Sequence, residues 1–262
     1  MMACRLLASI GLVICSVVTV SAQVPPAVTA VTFPGVPGAP ALHGHLYRPE
    51  GVGPFAAVVL LHGCGGITST NHWWADTLRS WGYVALLVDS LGPRGETVVC
   101  DTFRVDPLYA RMPDAYAARS YLAGQPFVAA ARIGLIGWSH GGITTLHAVD
   151  DVYLSRLGKD RFRAAIAFYP GCLIRLLRLN APLLILIGEE DDWTPAARCR
   201  RMQVEETSHE FTLKVYPGAY HEFDTRDLDA QVYLGHRLER HPEAAIDAEQ
   251  RVQRFLIRHL GP

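Results

Sequence analysis

The chain has 262 residues, with 24 Lys+Arg against 25 Asp+Glu and a formal net charge of −1. Such a balance gives no reason to expect nucleic acid or an anionic membrane surface as a partner. There are no charge blocks, heptads, internal repeats or low-complexity tracts, and the length suits one α/β domain with a sizeable core.

The first stretch reads as a leader. Arg5 supplies a positive start, Leu6 to Val20 is an almost unbroken apolar run, and Val20-Ser21-Ala22 offers small residues for cleavage. This is a secretory signal-peptide pattern over residues 1–22, with Gln23 as the new N-terminus. The run is short for a membrane span, and Ile14 before Cys15 is too large for a lipoprotein signal. The expectation is a single domain over residues 23–262, secreted or periplasmic, with no stable membrane insertion after cleavage. Four cysteines follow the leader: Cys64, Cys100, Cys172 and Cys199. In an oxidising compartment they allow three full pairings. Cys172 and Cys199 each follow one of two neighbouring predicted strands and form the favoured pair, while Cys64 is expected to stay free. None of the spacings resembles a zinc site.

The predicted elements then run in order. Ala27 to Phe33 alternates as an edge strand and Ala41 to Arg48 as its hairpin partner, across a Pro/Gly-rich loop. Phe55 to Leu61 is continuously apolar, as in a strand covered on both faces. Asn71 to Trp81 has helix character, with Trp74, Leu78 and Trp81 on one side. Tyr83 to Val88 is the next buried strand, followed by a loop rich in turn residues from Asp89 to Arg104. Ala110 to Leu122 reads as a helix starting near Pro113. Arg132 to Ile136 is a strand, and Ile143 to Val149 can run as a helix. Arg163 to Tyr169, Pro182 to Ile187 and Glu210 to Tyr216 are further strands, the last nearer an edge. Ala244 to Leu260 closes the chain as an amphipathic helix, with Ile246, Val252, Phe255, Leu256 and Leu260 as apolar positions. Strands alternating with helices predict an α/β architecture: a mostly parallel central sheet of about eight strands, with helices on both faces. Catalytic groups in such sheets gather beyond the carboxyl ends of the strands.

The most informative segment is Gly137-Trp138-Ser139-His140-Gly141-Gly142, between a predicted strand and a predicted helix. A serine at the apex of so tight a turn needs small residues two before and two after it, and Gly137 and Gly141 supply them. Serine alone is a poor nucleophile and needs a base oriented by a carboxylate. Past the next strands come Gly188-Glu189-Glu190-Asp191-Asp192-Trp193-Thr194-Pro195 and Gly218-Ala219-Tyr220-His221. The candidate triad is therefore Ser139, an acid near 191 and His221; Asp191 and Asp192 compete for the acid, the spacing in similar proteins pointing to Asp191, and Glu189 and Glu190 read as solvated or capping carboxylates. His62-Gly63-Cys64-Gly65-Gly66, after the first buried strand, lets backbone N–H groups approach a substrate carbonyl. The backbone N–H groups of Cys64 and His140 are the candidate oxyanion donors, and resemblance to similar proteins implies that His62 stiffens that loop rather than acting as base.

With these four motifs the chain resembles a secreted member of the dienelactone hydrolase family, within the α/β-hydrolase superfamily, from about Ala41 to the C-terminus. The resemblance implies the α/β-hydrolase fold and hydrolysis of small-molecule esters or lactones through an acyl-enzyme, with neither metal nor organic cofactor. The founding enzymes use a cysteine where this chain has Ser139, which counts against dienelactone itself as the substrate. Two rival readings are a peptidase of the prolyl-peptidase type and a non-catalytic binding protein on a hydrolase fold. Arg94, Trp138 and Trp193 are candidate substrate contacts. For Arg94 the competing reading is a surface loop arginine, and for the tryptophans it is plain core. The imidazole of His140 could touch substrate or pack beneath a lid.

Overall fold

The structure is a computed structural model that describes residues 27–102, 104–154, 160–205 and 209–261. The segment read as a leader, and its cleavage site, lie outside the described residues. The strands are β1 (Val28–Phe33), β2 (Leu42–Tyr47), β3 (Phe55–Leu61), β4 (Val84–Asp89), β5 (Val128–Trp138), β6 (Ala165–Phe168), β7 (Leu176–Leu177), β8 (Leu183–Gly188), β9 (Gln203–Val204), β10 (Phe211–Tyr216), β11 (Gln231–Tyr233) and β12 (His236–Leu238). The helices are α1 (Ser69–Ser80), α2 (Met112–Ala123), α3 (His140–Ala148), α4 (Asp151–Leu154), α5 (Ala196–Arg201) and α6 (Pro242–Leu260).

Eight strands form one sheet in the order β1-β2-β4-β3-β5-β6-β8-β10. From β4 to β10 all neighbours are parallel, whereas β1–β2 and β2–β4 are antiparallel. The apolar runs occupy the middle: Ala56 to Leu61, Val84 to Val88 and Leu183 to Ile187 are all buried, as expected of strands covered on both faces. β5 shows how the two faces are used. A Cβ on Gly134 would lie 3.1 Å from Leu260 of α6, and the Trp138 ring sits 6.1 Å from Trp74 of α1. On the opposite face, a Cβ on Gly137 would lie 2.4 Å from the Thr145 hydroxyl of α3. Helices therefore cover both sides of the sheet.

Several details differ from the sequence reading. β5 starts at Val128 and runs to Trp138, with an irregular register where Phe55 and Ala57 pair with it. Before α2 the chain makes one wide turn at Pro107–Arg111, capped by Asp106, whose carboxylate accepts from the N–H groups of Leu108 and Tyr109. Ile246 is exposed; the buried face of α6 is Ala244, Ala248, Val252, Phe255, Leu256 and Leu260. The loop after His221 carries the β11–β12 hairpin, too short and polar for periodicity to register.

The cysteines form two disulfides, Cys64–Cys100 and Cys172–Cys199. The second is the favoured pair. The first corrects the expectation of a free Cys64. The Val99 N–H donates to the Cys64 carbonyl (2.9 Å) and Leu91, Val99 and Val105 form a small core against Cys64, folding the long loop over the glycine-rich turn and bringing Cys100 within reach.

Candidate active site

Ser139 sits between β5 and α3 with φ 49° and ψ −111°. That left-handed strain on a non-glycine residue is held by its neighbours. A Cβ on Gly137 would lie 2.1 Å from the Gly141 carbonyl oxygen, and one on Gly141 2.2 Å from that of Leu61. No side chain fits at either place, so the turn requires both glycines. The Ser139 N–H is tied to the Phe168 carbonyl of β6 (2.9 Å).

The loops carrying Asp191 and His221 meet through a third glycine. A Cβ on Gly188 would lie 2.2 Å from the Ala219 carbonyl oxygen, so its absence lets the loops after β8 and β10 touch. The N–H of Glu190 donates to that carbonyl (3.0 Å). The three side chains singled out from the sequence come together here. Ser139 Oγ lies 2.9 Å from His221 Nε2, and His221 Nδ1 lies 2.7 Å from Asp191 Oδ2. Asp191 is buried, and its Oδ1 accepts from the N–H groups of Trp193 (3.0 Å) and Thr194 (2.8 Å). Asp192 points elsewhere, toward the N–H of Arg237 and the ring of His236 on the hairpin. Glu189 pairs with Arg200.

The glycine-rich loop after β3 closes on the same point. Gly63 and Gly66 bridge to each other, and a Cβ on Gly63 would lie 3.8 Å from that of Ser139. Cys64 lies between them in this turn. His140 opens α3, and an N–H in the first turn of a helix has no acceptor within that helix. His62 is fully buried, with Nδ1 donating to the Gly63 carbonyl (2.6 Å) and Nε2 accepting from the Ser90 N–H (3.3 Å). Burial first, then the Arg111 charge, holds its pKa well below the histidine range. The same two causes push His140 down to about 2. Arg111 is itself fully buried, bonded to the His62 carbonyl (2.8 Å) and His140 Nδ1 (2.7 Å). Both imidazoles near the loop are thus neutral, and each works as a brace.

Sequence reasoning missed a second carboxylate. Asp224 is buried and accepts three hydrogen bonds: from Trp74 Nε1 (2.8 Å), Trp138 Nε1 (3.0 Å) and the Tyr169 hydroxyl (2.7 Å). It joins α1, the end of β5, the end of β6 and the histidine loop at one point. The Tyr169 ring lies 4.6 Å from that of His221, and the Tyr169 carbonyl lies 3.0 Å from the Thr194 hydroxyl. The only signal in the chain is an acid three residues after His221, which is too common to single out. Burial raises the Asp224 pKa against the three donors, and it also raises that of Glu222, which borders the Ser139 cleft.

The expected substrate contacts separate. The Arg94 guanidinium is bound two-pronged to the buried Asp114 (2.8 and 2.9 Å) and to the Ser90 carbonyl (2.7 Å), so it is committed to the fold rather than offered to a ligand. Trp138 borders the cleft but is buried, stacked on Phe168 and held by Asp224, and so belongs to the core. Trp193 is half-buried beside His221 (5.1 Å between ring centres) and lines a pocket with Ser139.

A mostly parallel eight-stranded sheet with helices on both faces, carrying its serine on a strand-to-helix turn, defines an α/β hydrolase. The chain belongs to the dienelactone hydrolase family, whose family model matches residues 42–260. It is 29% identical over 201 residues to a protein of Bradyrhizobium sp. named a probable 2-oxo-3-(5-oxofuran-2-ylidene)propanoate lactonase, covering 71% of this chain and 80% of that one. Among solved structures it resembles the dienelactone hydrolase of Anabaena variabilis ATCC 29413 (TM-score 0.64, 20% identity, 89% of this chain and 98% of that one). It also resembles a thermophilic esterase of Thermogutta terrifontis (TM-score 0.63, 18% identity, 90% and 97% covered). At such identities these structures speak for the fold. Membership of this family makes the protein a hydrolase acting on small molecules. Among the described residues no helix is long and apolar enough to cross a membrane.

Proposed function

We propose that this protein is a serine hydrolase of carboxylic esters or lactones, working through an acyl-enzyme. The observation that carries the reading is the unbroken relay from Ser139 Oγ through the His221 ring to Asp191 (2.9 and 2.7 Å). In this mechanism the Ser139 hydroxyl donates to His221 Nε2, which takes the proton as Oγ attacks the carbonyl carbon. Asp191, held by two backbone N–H groups, accepts from His221 Nδ1 and stabilises the imidazolium. The N–H groups of Cys64 and His140 receive the oxyanion, each such donor contributing about 3 kcal/mol to lowering the barrier. His221 returns the proton to the leaving alcohol, and water resolves the acyl-enzyme by the same steps. None of these steps needs a metal or an organic cofactor.

The lactonase name of the Bradyrhizobium relative supports the ester-or-lactone reading. The leader pattern of residues 1–22 and the two disulfides support secretion or a periplasmic location, since such bonds persist in oxidising compartments. N-terminal sequencing of the exported protein should begin at Gln23. The function is tested with Ser139→Ala and a fluorophosphonate probe. Wild type should label and hydrolyse short aryl esters, and the variant should do neither. Unchanged hydrolysis by the variant would dispose of the reading, and faster turnover of a matched amide would favour a peptidase.

A further inference from the structure

Ser139 lies between two recesses of opposite character. On one side is a small cleft of about 40 Å³ bordered by Thr68, Asn71 and the Glu222 carboxyl. On the other is a pocket of about 80 Å³ walled by Cys64, Ile143, Leu173, Trp193 and Arg198. Leu173 and Arg198 also wall an adjoining groove of about 440 Å³, which continues past Arg175 and Arg201.

This groove is a built feature. Its two walls are the segment after β6 and helix α5, and Cys172–Cys199 joins them directly. At the far end β7 pairs with β9, and the Gln203 N–H donates to the Arg175 carbonyl (3.0 Å). The backbone that carries the arginines is therefore fixed on both sides. Nearby cations are neutralised, Arg178 by Glu205 and Arg200 by Glu189. Arg175, Arg198 and Arg201 have no acidic partner among the described residues, in a chain whose net charge is only −1. Three guanidinium groups with no acidic partner among the described residues thus line one groove, which shares Leu173 and Arg198 with the pocket beside Ser139.

We propose that this groove is a subsite for an anionic arm of the substrate, a carboxylate or phosphate several bonds removed from the scissile carbonyl. The proposal rests on the serine-hydrolase reading for its chemistry, but binding alone also exposes it. Planar guanidinium groups bind such oxyanions two-pronged. An apolar spacer would lie against Ile143, Leu173 and Trp193, with Arg198 meeting the anion first. The polar cleft beside Glu222 suits the smaller, uncharged part of the ester.

The test compares kcat/KM for 4-nitrophenyl butyrate with that for 4-nitrophenyl monoesters of adipic and suberic acid, and with acetates of ω-hydroxy acids and of ω-hydroxyalkyl phosphates. These arms place the anion on the acyl or the alcohol side and separate carboxylate from phosphate. At least one anionic series should exceed its neutral counterpart by tenfold or more. That ratio should fall toward one in Arg198→Gln and in the Arg175→Gln/Arg201→Gln pair, through KM rather than kcat, and should shrink with added salt. A ratio that is the same in wild type and variants, with esters still hydrolysed, overturns the subsite and leaves the hydrolase reading intact. If no ester is turned over, the hydrolase reading falls, and calorimetric titration of Ser139→Ala with adipate and suberate monomethyl esters decides the subsite alone. Affinity lost in Arg198→Gln supports it, and affinity unchanged refutes it.

Discussion

Asp224 offers the sharpest test of how the fold holds the site. Replacing it with alanine leaves two indole N–H groups and one phenol hydroxyl in the core without their shared acceptor. Each orphaned buried group costs about 1–3 kcal/mol, offset by removal of a charge that burial disfavours. The net loss for Asp224→Ala should be roughly 3–5 kcal/mol, a large share of a typical domain's ~5–15. Asparagine should behave differently. Its carbonyl oxygen can take the place of Oδ2, which receives both indoles, and its amide can donate to the Tyr169 hydroxyl, which turns to become the acceptor. Asp224→Asn should therefore cost about 1 kcal/mol or less at neutral pH. The pH dependence adds a sign. An acid whose pKa is raised by folding stabilises the native state most when protonated, below its unfolded value, and that increment is lost as pH rises through the folded value. The advantage of wild type over Asp224→Asn should accordingly shrink as pH climbs from about 4. Urea unfolding followed by tryptophan fluorescence measures all of this, because Trp74 and Trp138 report directly on the carboxylate. If alanine and asparagine are equally damaging, or alanine costs under 1 kcal/mol, the account of Asp224 as a three-donor anchor is wrong.

The two neighbouring acids give a second contrast: Asp191→Asn should lower kcat by roughly 10³–10⁴-fold, while Asp192→Asn should change it by less than about threefold; steady-state kinetics on one aryl ester decides. The Cys64–Cys100 bond closes a loop with a sequence separation of 36 residues. Chain entropy then assigns it about 4 kcal/mol, and the Cys100→Ser variant should lose stability on that scale and raise KM, since the bond walls the pocket. His140, held near 2, is neutral in the fold but takes a proton when unfolded below about pH 6. Its contribution is complete above its unfolded pKa and is lost as pH falls toward its folded one. His140→Asn should reduce the slope of unfolding free energy against pH by about 1.4 kcal/mol per unit between pH 3 and 6. A variant slope equal to that of wild type would contradict this. Gly137→Ala should fail to give soluble, active enzyme, because its methyl would sit 2.1 Å from the Gly141 oxygen; circular dichroism and probe labelling would show a tolerated change immediately.

The residues that could be read in advance are those whose role is set by nearby backbone. Gly137 and Gly141 announce a serine turn because no side chain fits beside it. Gly188 before the Asp191 loop and Gly218 before His221 mark the chain leaving a strand, and apolar runs such as Phe55 to Leu61 mark buried parallel strands. Each is a short-range steric or solvation demand, written in consecutive residues, and the order of motifs was enough to place the chain in its family. Tertiary structure alone decided who meets whom across the fold. It closed Cys64 onto Cys100, gave Arg94 to Asp114, turned Trp138 into the core under Asp224, and left Arg198 facing the pocket. It also separated Asp191 from Asp192, adjacent in sequence and opposite in direction. Such pairings join residues far apart in the chain, and their energies depend on burial and distance that a one-dimensional pattern does not contain.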